Sequence, residues 1–317
     1  MKFLKDGYGR RFDYIRISLT DRCNLGCFYC KKSLFKPLPR SEILTLEEIT
    51  FLVSVFREQF GIQKVRLTGG EPLLRKEINK LIENISGMNV KIKITTNGVF
   101  LDNFIEFFKE KKVSVNVSLD TLNEEKFFKI SGDRNLKKVI DNIQRCASSG
   151  INLKINTVAL RGINDDEILN LINFSNSIGT EIRFIEFMPF VDPETWRTYF
   201  IPEEEIKRKI LEKFSMRFLE DSGTAYVYKL DNGGRVGFIS TVSRPFCDSC
   251  SRLRITADGK IVLCMFDKVS YPLMDFLRPN IRESDLIDFI TKVVKNKPRG
   301  FIELKGEPAF EMTRLGG

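Results

Sequence analysis

At 317 residues with 42% hydrophobic side chains, the chain can bury one large core, or one barrel with an appended region. No apolar run approaches the roughly 18 residues of a membrane span, and Met1-Lys2-Phe3-Leu4-Lys5 has no apolar signal stretch, so a cytoplasmic protein with no membrane partner is expected. The net charge of +9, from 51 basic and 42 acidic residues, fits a solvated lysine-rich surface or an anionic partner, either a nucleotide phosphate or RNA; the interleaving of the two signs argues against nucleic acid.

From Tyr14 to Met188, strand-like and helix-like segments alternate. The pattern predicts strands at Tyr14–Thr20, Lys64–Thr68, Val90–Thr96, Val113–Leu119, Asn152–Leu160 and Glu181–Met188. Amphipathic stretches lie between them: Leu101, Phe104, Ile105 and Phe108 recur at helical spacing, as do Leu136, Val139, Ile140, Ile143 and Ala147. Thr45-Leu46-Glu47-Glu48 opens a further helix with a capping box. Six βα repeats in this order predict an α/β fold, a partial TIM barrel, over residues 1–190. Beyond Pro189 the alternation stops, and a boundary is expected at Val191–Pro202. Residues 191–317 should form a smaller α+β extension: a helix over Glu203–Phe214, hairpins about Asp231-Asn232-Gly233-Gly234 and Asp258-Gly259, and a last helix over Glu283–Lys297.

Six of the seven cysteines fall into two triples. Cys23, Cys27 and Cys30, spaced C-x3-C-x2-C, follow the first strand; Cys247, Cys250 and Cys264, spaced C-x2-C-x13-C, lie in the extension. The odd total argues against disulfides, and a chain without histidine has few ways to complete a zinc site. Each triple is therefore expected to hold a 4Fe–4S cluster with one iron left open. For the second triple, zinc with Asp248 or Asp267 as fourth ligand stays open. A strict two-residue turn at Asp258-Gly259 sets Cys264 opposite Leu253, facing away from Arg252 and Arg254, so a bulge or ligation from the strand edge is needed for all of them to serve one site. Cys146 reads as a buried core thiol.

The strands carry a second signal. Buried parallel strands should be almost continuously apolar, yet Arg16, Arg66, Lys154 and Arg183 each sit between two apolar neighbours, and Asn116 and Ser118 alternate with Val115, Val117 and Leu119. Period two places each polar set on one face. Any one of these residues fits a salt-bridged or edge position; four cations pointed into one lumen make a pocket for a triphosphate. Gly69-Gly70-Glu71-Pro72, Asn97-Gly98 and Asp120 follow strands two, three and four, on the edge where such a fold builds its active site.

The first triple in this setting, with Tyr29 before its third cysteine and Gly69-Gly70-Glu71-Pro72 after the second strand, resembles the radical S-adenosylmethionine (SAM) enzymes. Further stretches resemble the GTP 3',8-cyclases that begin molybdenum-cofactor synthesis, and together they cover nearly the whole chain. They are Thr20-Asp21-Arg22-Cys23-Asn24, Arg66-Leu67-Thr68-Gly69-Gly70, Gly162-Ile163-Asn164-Asp165-Asp166-Glu167, Phe184-Ile185-Glu186-Phe187-Met188, the second triple with Arg252 and Arg254, and the closing Gly316-Gly317. Lys31-Lys32 depart from the Met-Pro often found after the third cysteine.

The resemblance implies two 4Fe–4S clusters and SAM as cofactors. It implies Tyr29, Gly70, Ser118 and Met188 as SAM contacts, and Arg16, Arg66, Thr96, Lys154, Arg183, Arg252 and Arg254 as GTP contacts. Arg252, Arg254, Gly316 and Gly317 are implied to be catalytic, with the tail entering the barrel mouth. The implied reaction cleaves SAM reductively, removes the ribose 3'-hydrogen of GTP with the resulting 5'-deoxyadenosyl radical, and joins C3' to guanine C8. The product is (8S)-3',8-cyclo-7,8-dihydroguanosine 5'-triphosphate. Implied partners are GTP, an external one-electron donor, the next enzyme of the pathway (cyclic pyranopterin monophosphate synthase) and a second copy in a homodimer. Two rival readings are a radical SAM enzyme acting on RNA or a peptide, and a zinc-stabilised RNA-binding protein without catalysis.

Overall fold

The structure is a computed structural model and describes residues 3–30, 36–300 and 312–315. All six expected strands are present: β1 (Tyr14–Ser18), β2 (Lys64–Thr68), β3 (Lys91–Thr96), β4 (Ser114–Ser118), β5 (Leu153–Ala159) and β6 (Glu181–Glu186). They lie parallel and side by side in chain order. Helices make every crossover: Leu46–Phe60, Ile78–Ser86, Ile105–Glu110, the pair Glu124–Ser131 and Leu136–Ser148, and Ile168–Ser177. The first begins at the expected capping box, where Thr45 Oγ1 accepts from Glu48 N at 3.1 Å and the Glu48 carboxylate accepts from Thr45 N at 2.7 Å.

One face of the sheet explains its register. Ile15, Ile17, Val65, Leu67, Ile94, Val115, Val117, Ile155 and Ile182 have no exposed surface and share one core with helix residues such as Leu52, Phe56, Leu81, Phe108, Val139 and Leu171. Burying each such side chain stabilises the fold by about 1.5–3 kcal/mol. A one-residue slip would turn the whole set toward the other face, so the register is fixed. The opposite face carries the polar residues of the same alternation.

The chain after residue 190 builds no sheet of its own. Its strands are β7 (Met216–Asp221), β8 (Tyr226–Leu230), β9 (Arg235–Ile239), β10 (Arg252–Ile255), β11 (Lys260–Val262) and β12 (Tyr271–Pro272). β9 pairs parallel with β6, and β10 pairs parallel with β1. Among the described residues the result is one parallel-dominated α/β sheet, ordered β12-β11-β10-β1-β2-β3-β4-β5-β6-β9-β8-β7. Between β9 and β10 the chain passes from the β6 side of the six parallel strands to the β1 side, carrying Cys247 and Cys250. The expected irregular boundary contains a helix, Pro193–Tyr199, with Asp192 accepting from Thr195 N at 2.9 Å as its cap. β7 and β12 were not expected from the sequence. No helix of the described residues is long and apolar enough to cross a membrane.

The hairpin at Asp258-Gly259 corrects one expectation. Its loop has three residues, not two: Thr256 N donates to Lys260 O at 2.9 Å, and Gly259 closes the loop in the left-handed region at φ 68°. The register is Arg254↔Val262 and Ile255↔Ile261. Continued by two residues, it sets Cys264 opposite Arg252 instead of Leu253. The extra loop residue turns the cysteine onto the face of the two arginines, and no further bulge is needed.

Candidate active site

Cys23, Cys27 and Cys30 line a cavity of about 180 Å³, together with Tyr29, Gly70, Ser118 and Met188. The loops after β1 and β2 touch at the backbone: Gly70 N donates to Thr20 O at 2.6 Å and Glu71 N to Arg22 O at 2.7 Å. A Cβ on Gly70 would sit 2.1 Å from Arg22 O, and one on Gly69 would sit 2.4 Å from Thr20 O, so only glycine permits this approach. The Glu71 carboxylate then bridges to the loop after β3, accepting from Asn97 N and Thr96 Oγ1, each at 2.7 Å. Burial pushes Glu71 up to about 7 in spite of these bonds. Asn97 donates to Asn24 Oδ1 at 2.9 Å, returning to the cysteine loop. The Tyr29 hydroxyl donates to Asp120, whose other oxygen accepts from Val158 N at 2.8 Å; burial raises Asp120 to about 6.

Glu186 completes this wall, accepting from Glu203 N and from Val242 and Ser243 N, each at 2.9 Å. Among the described residues the cavity thus has three carboxylates, Glu71, Asp120 and Glu186, and no lysine or arginine. Burial, with Cys30 and Asp120 nearby, pushes the Cys27 thiol well above its usual range.

The second triple opens on a smaller cavity, about 60 Å³, that Cys247, Cys250 and Cys264 share with Arg252, Arg254 and Lys297. No carboxylate lines it among the described residues. Asp248 is 86% exposed, and Asp267 accepts from Val269 N at 3.0 Å outside the cavity wall, so neither completes a zinc site. Three thiols without a fourth protein ligand fit a cluster with one open iron. Burial would raise the Cys250 thiol, but Arg252 and Lys297 outweigh it and bring it down to about 6.

A third cavity, about 260 Å³, is lined by the inward faces of β1 to β6 and of β10, and shares Arg252 and Arg254 with the second triple. Register aligns Arg254, Arg16, Arg66 and Lys93 in one row across β10, β1, β2 and β3. Arg66 donates from Nε to the Tyr14 oxygen at 2.5 Å and from Nη1 to Thr95 Oγ1 at 2.8 Å. Burial, with Arg254 and then Arg66 beside it, holds Arg16 well below its usual range, and burial with Arg252 lowers Arg254 to about 10. Such a crowd of buried cations is suited to a polyanion. Thr95, Asn156, Ile185, Met188 and Met312 line both this cavity and that of the first triple, so the two meet. At that junction Asn156 Oδ1 is buried with no partner.

Comparison with known proteins matches the chain in two parts. Residues 17–175 match the radical SAM superfamily and residues 180–302 the molybdenum cofactor synthesis C family. GTP 3',8-cyclases of Thermodesulfovibrio yellowstonii and Peptoclostridium acidaminophilum are each 38% identical to this chain. The first alignment covers 99% of this chain and 100% of that protein, the second 99% and 98%. The chain belongs to the GTP 3',8-cyclase family. Its fold is also that of more distant solved structures: Streptococcus suis SuiB bound to S-adenosylmethionine (16% identity, TM-score 0.64, 90% of this chain and 68% of that one) and native anSMEcpe with bound AdoMet (18%, 0.61, 90% and 81%).

For this member of the cyclase family, the structure places the described sequence-predicted residues on the walls of these three cavities, and of them Thr96 alone falls in a different one from that expected. Thr96 faces the first triple, bonded to Glu71, and it is Thr95 that reaches the cation-lined cavity. Lys154 and Arg183 both reach Glu181, at 2.9 and 2.5 Å, so these two cations are salt-bridged within the cavity wall. Gly316, Gly317 and Lys31-Lys32 lie outside the described residues. The tail just before the glycines forms a turn of helix, Met312–Leu315, with Met312 at the junction and Leu315 buried beside Phe190 and Val262. Sequence reasoning missed Tyr14, Lys93, Thr95, Asn156, Glu181 and Glu186. Lys93 carries the same signal as the other cations, lying between Ile92 and Ile94; Glu181 carries none, because its partners come from register.

Proposed function

We propose that the protein is a GTP 3',8-cyclase, a radical SAM enzyme with two 4Fe–4S clusters that performs the first step of molybdenum-cofactor synthesis. The observation that carries this reading is the meeting of two cavities of opposite lining. A carboxylate-lined cavity suits the sulfonium and amino group of SAM, and a cation-lined cavity suits a triphosphate. Cys23, Cys27 and Cys30 hold one cluster and Cys247, Cys250 and Cys264 the other; Tyr29, Gly70, Ser118 and Met188 hold SAM. When bound, the first cluster and SAM supply the electron and the 5'-deoxyadenosyl radical that take GTP to its 3',8-cyclised product.

The protein's own residues bind, orient and shield. Arg16, Arg66 and Lys93 bind phosphate oxygens directly, and Lys154 and Arg183 do so from their shared Glu181. Arg252 and Arg254 hold the nucleotide against the second triple, with Thr95 in the place expected of Thr96. Asn156 accepts a hydrogen bond from a ligand hydroxyl at the junction, and Ile185 and Met188 keep water from it. Gly316 and Gly317, which follow Met312–Leu315 in the sequence, help position GTP. Residues 1–190, six βα units, serve as the partial barrel for SAM; residues 191–317 serve as the second-cluster and substrate region. The protein works in the cytoplasm as a homodimer, receives one electron from an external donor and passes its product to cyclic pyranopterin monophosphate synthase.

Anaerobic reconstitution tests the reading. About four irons are expected per triple, with GTP- and SAM-dependent formation of the cyclised nucleotide. Zinc without iron, or 5'-deoxyadenosine without any nucleotide product, would rule it out.

A further inference from the structure

The second triple lies on one stretch of chain, Cys247–Cys264, and two buried cations from elsewhere in the sequence grip its backbone. Asp6 and Arg10 form a tight loop at the N-terminal end: Asp6 Oδ1 accepts from Tyr8 N and Arg10 N, each at 2.9 Å, and Oδ2 accepts from Arg10 Nε at 2.5 Å. The loop leaves the two Nη atoms of the guanidinium free of Asp6. Arg10 Nη1 donates to Cys247 O and to Arg299 O, each at 2.7 Å, and Nη2 donates to Pro298 O at 2.6 Å. The Arg10 side chain is only 8% exposed and that of Asp6 fully buried.

Lys297, next along from this grip, is 4% exposed. Its ammonium donates to Leu263 O, just before Cys264, and to Arg252 O at 3.2 Å, two residues after Cys250. Each cysteine-bearing segment is thus held at a carbonyl by one of two cations, and both cations lead to the stretch Lys297–Arg299. Among the described residues Lys297 forms no ion pair; besides the two carbonyls it lies 5.6 Å from the Phe12 ring. A buried ammonium without a carboxylate is costly unless a neighbour supplies negative charge. Cys247, Cys250 and Cys264 share the 60 Å³ cavity with it, and as ligands of a cluster they would supply that charge.

We propose that Arg10 and Lys297 are positioning residues of the second triple, Arg10 by fixing the Cys247 segment and Lys297 by tying the Cys250 and Cys264 segments together while serving as the buried counter-charge of their thiolates. This rests on the reading of that triple as an iron–sulfur site. It makes the N-terminal loop, remote in sequence, part of the second site.

The test uses full-length protein with Cys27→Ala in the background, so that the second triple alone takes up iron. Lys297→Met keeps the bulk and removes the charge. The expected result is a cluster whose midpoint potential moves to more negative values, since an added electron loses a neighbouring positive charge, with partial return in Lys297→Arg. Iron retained at an unchanged potential would overturn the counter-charge role. Should Lys297→Met not fold, Arg10→Gln decides: an altered electron paramagnetic resonance signal at a parent-like melting temperature supports the proposal, and a parent-like signal overturns it. If the Cys27→Ala protein itself takes zinc and no iron, the iron–sulfur reading fails before either cation is touched, and this inference falls with it.

Discussion

Among the described residues, the cavity beside Cys23, Cys27 and Cys30 is lined by three carboxylates and no cation, whereas that beside Cys247, Cys250 and Cys264 is lined by three cations and no carboxylate. Two similar sets of thiols are thus placed in opposite fields: Asp120 adds to the burial that raises Cys27, Arg252 and Lys297 outweigh the burial of Cys250, and at Cys264 burial prevails although Lys297 opposes it. A cysteine triple alone does not say what its open iron will meet; the charges around it do. One pair of unit charges 4 Å apart is worth about 4 kcal/mol at an effective dielectric near 20, so placing a sulfonium beside Arg16, Arg66 and Lys93, or a triphosphate beside Glu71, Asp120 and Glu186, would be opposed by several such pairs.

The most severe way to break this contrast is to remove one triple at a time. Cys27→Ala should abolish SAM cleavage, while Cys250→Ala should keep uncoupled cleavage, measured as 5'-deoxyadenosine, and lose the cyclised nucleotide. Normal nucleotide product from the Cys250 variant would remove the second triple from the reaction. Next in size is Gly70→Ala, whose Cβ would sit 2.1 Å from Arg22 O. The backbone contact between the first two loops must open, so about 3 kcal/mol of stability should be lost, and with it iron at the first triple only. Iron counted after reconstitution in the Cys250→Ala background checks this.

A smaller effect separates paired from unpaired cations. Arg66 is bonded to Tyr14 and Thr95 and has no carboxylate partner among the described residues, whereas Lys154 shares Glu181 with Arg183. Arg66→Met should weaken GTP binding by about 1.5–3 kcal/mol relative to guanosine, and Lys154→Met by less than about 1.5 kcal/mol, because Arg183 still covers Glu181. Calorimetry with both ligands reads the difference; equal losses for GTP and guanosine would mean that these cations only hold the fold.

The smallest is a pH dependence. Burial would raise the Tyr14 phenol, but Arg66 and Arg16 outweigh it, with Arg252 adding to them, and bring it down to about 8. A bound polyanion cancels part of that positive field and moves the phenol back up, so binding takes up a proton. GTP affinity should therefore fall as pH rises through about 8, and Tyr14→Phe should flatten that limb of the profile.

The contrast itself was only half legible in the sequence. Both triples stand out by their spacing, and four inward cations because a strand shows one face in every second residue. Lys93 follows the same rule between Ile92 and Ile94, and the same parity selects Thr95 over Thr96, since Arg66 pairs with Lys93 and Thr95 lies two residues on. What could not be read was partnership between strands. Glu181 neutralises two of the cations only because register sets it beside Lys154 and, two residues away, Arg183. The Asp258-Gly259 dipeptide suits a two-residue turn and also a three-residue loop ending in a left-handed glycine, and that single residue decides which way Cys264 faces. β7 escaped because Met216–Asp221 is an almost wholly exposed outer strand with no buried face to impose alternation.

The order in which the sheet is completed has a consequence for how the protein is made. Until the chain beyond residue 230 has emerged, β1 and β6 are bare edges, each with an unpaired row of amides and carbonyls. They are capped by strands separated by a single short crossing, Ser240–Ser251, so both edges are closed almost at once and late. A nascent or truncated chain that stops before β9 presents two sticky borders flanked by strongly apolar strands, and is a substrate for chaperones or aggregation more than a small independent enzyme. The segment that brings the second triple is also the clasp that makes the rest of the molecule safe to release.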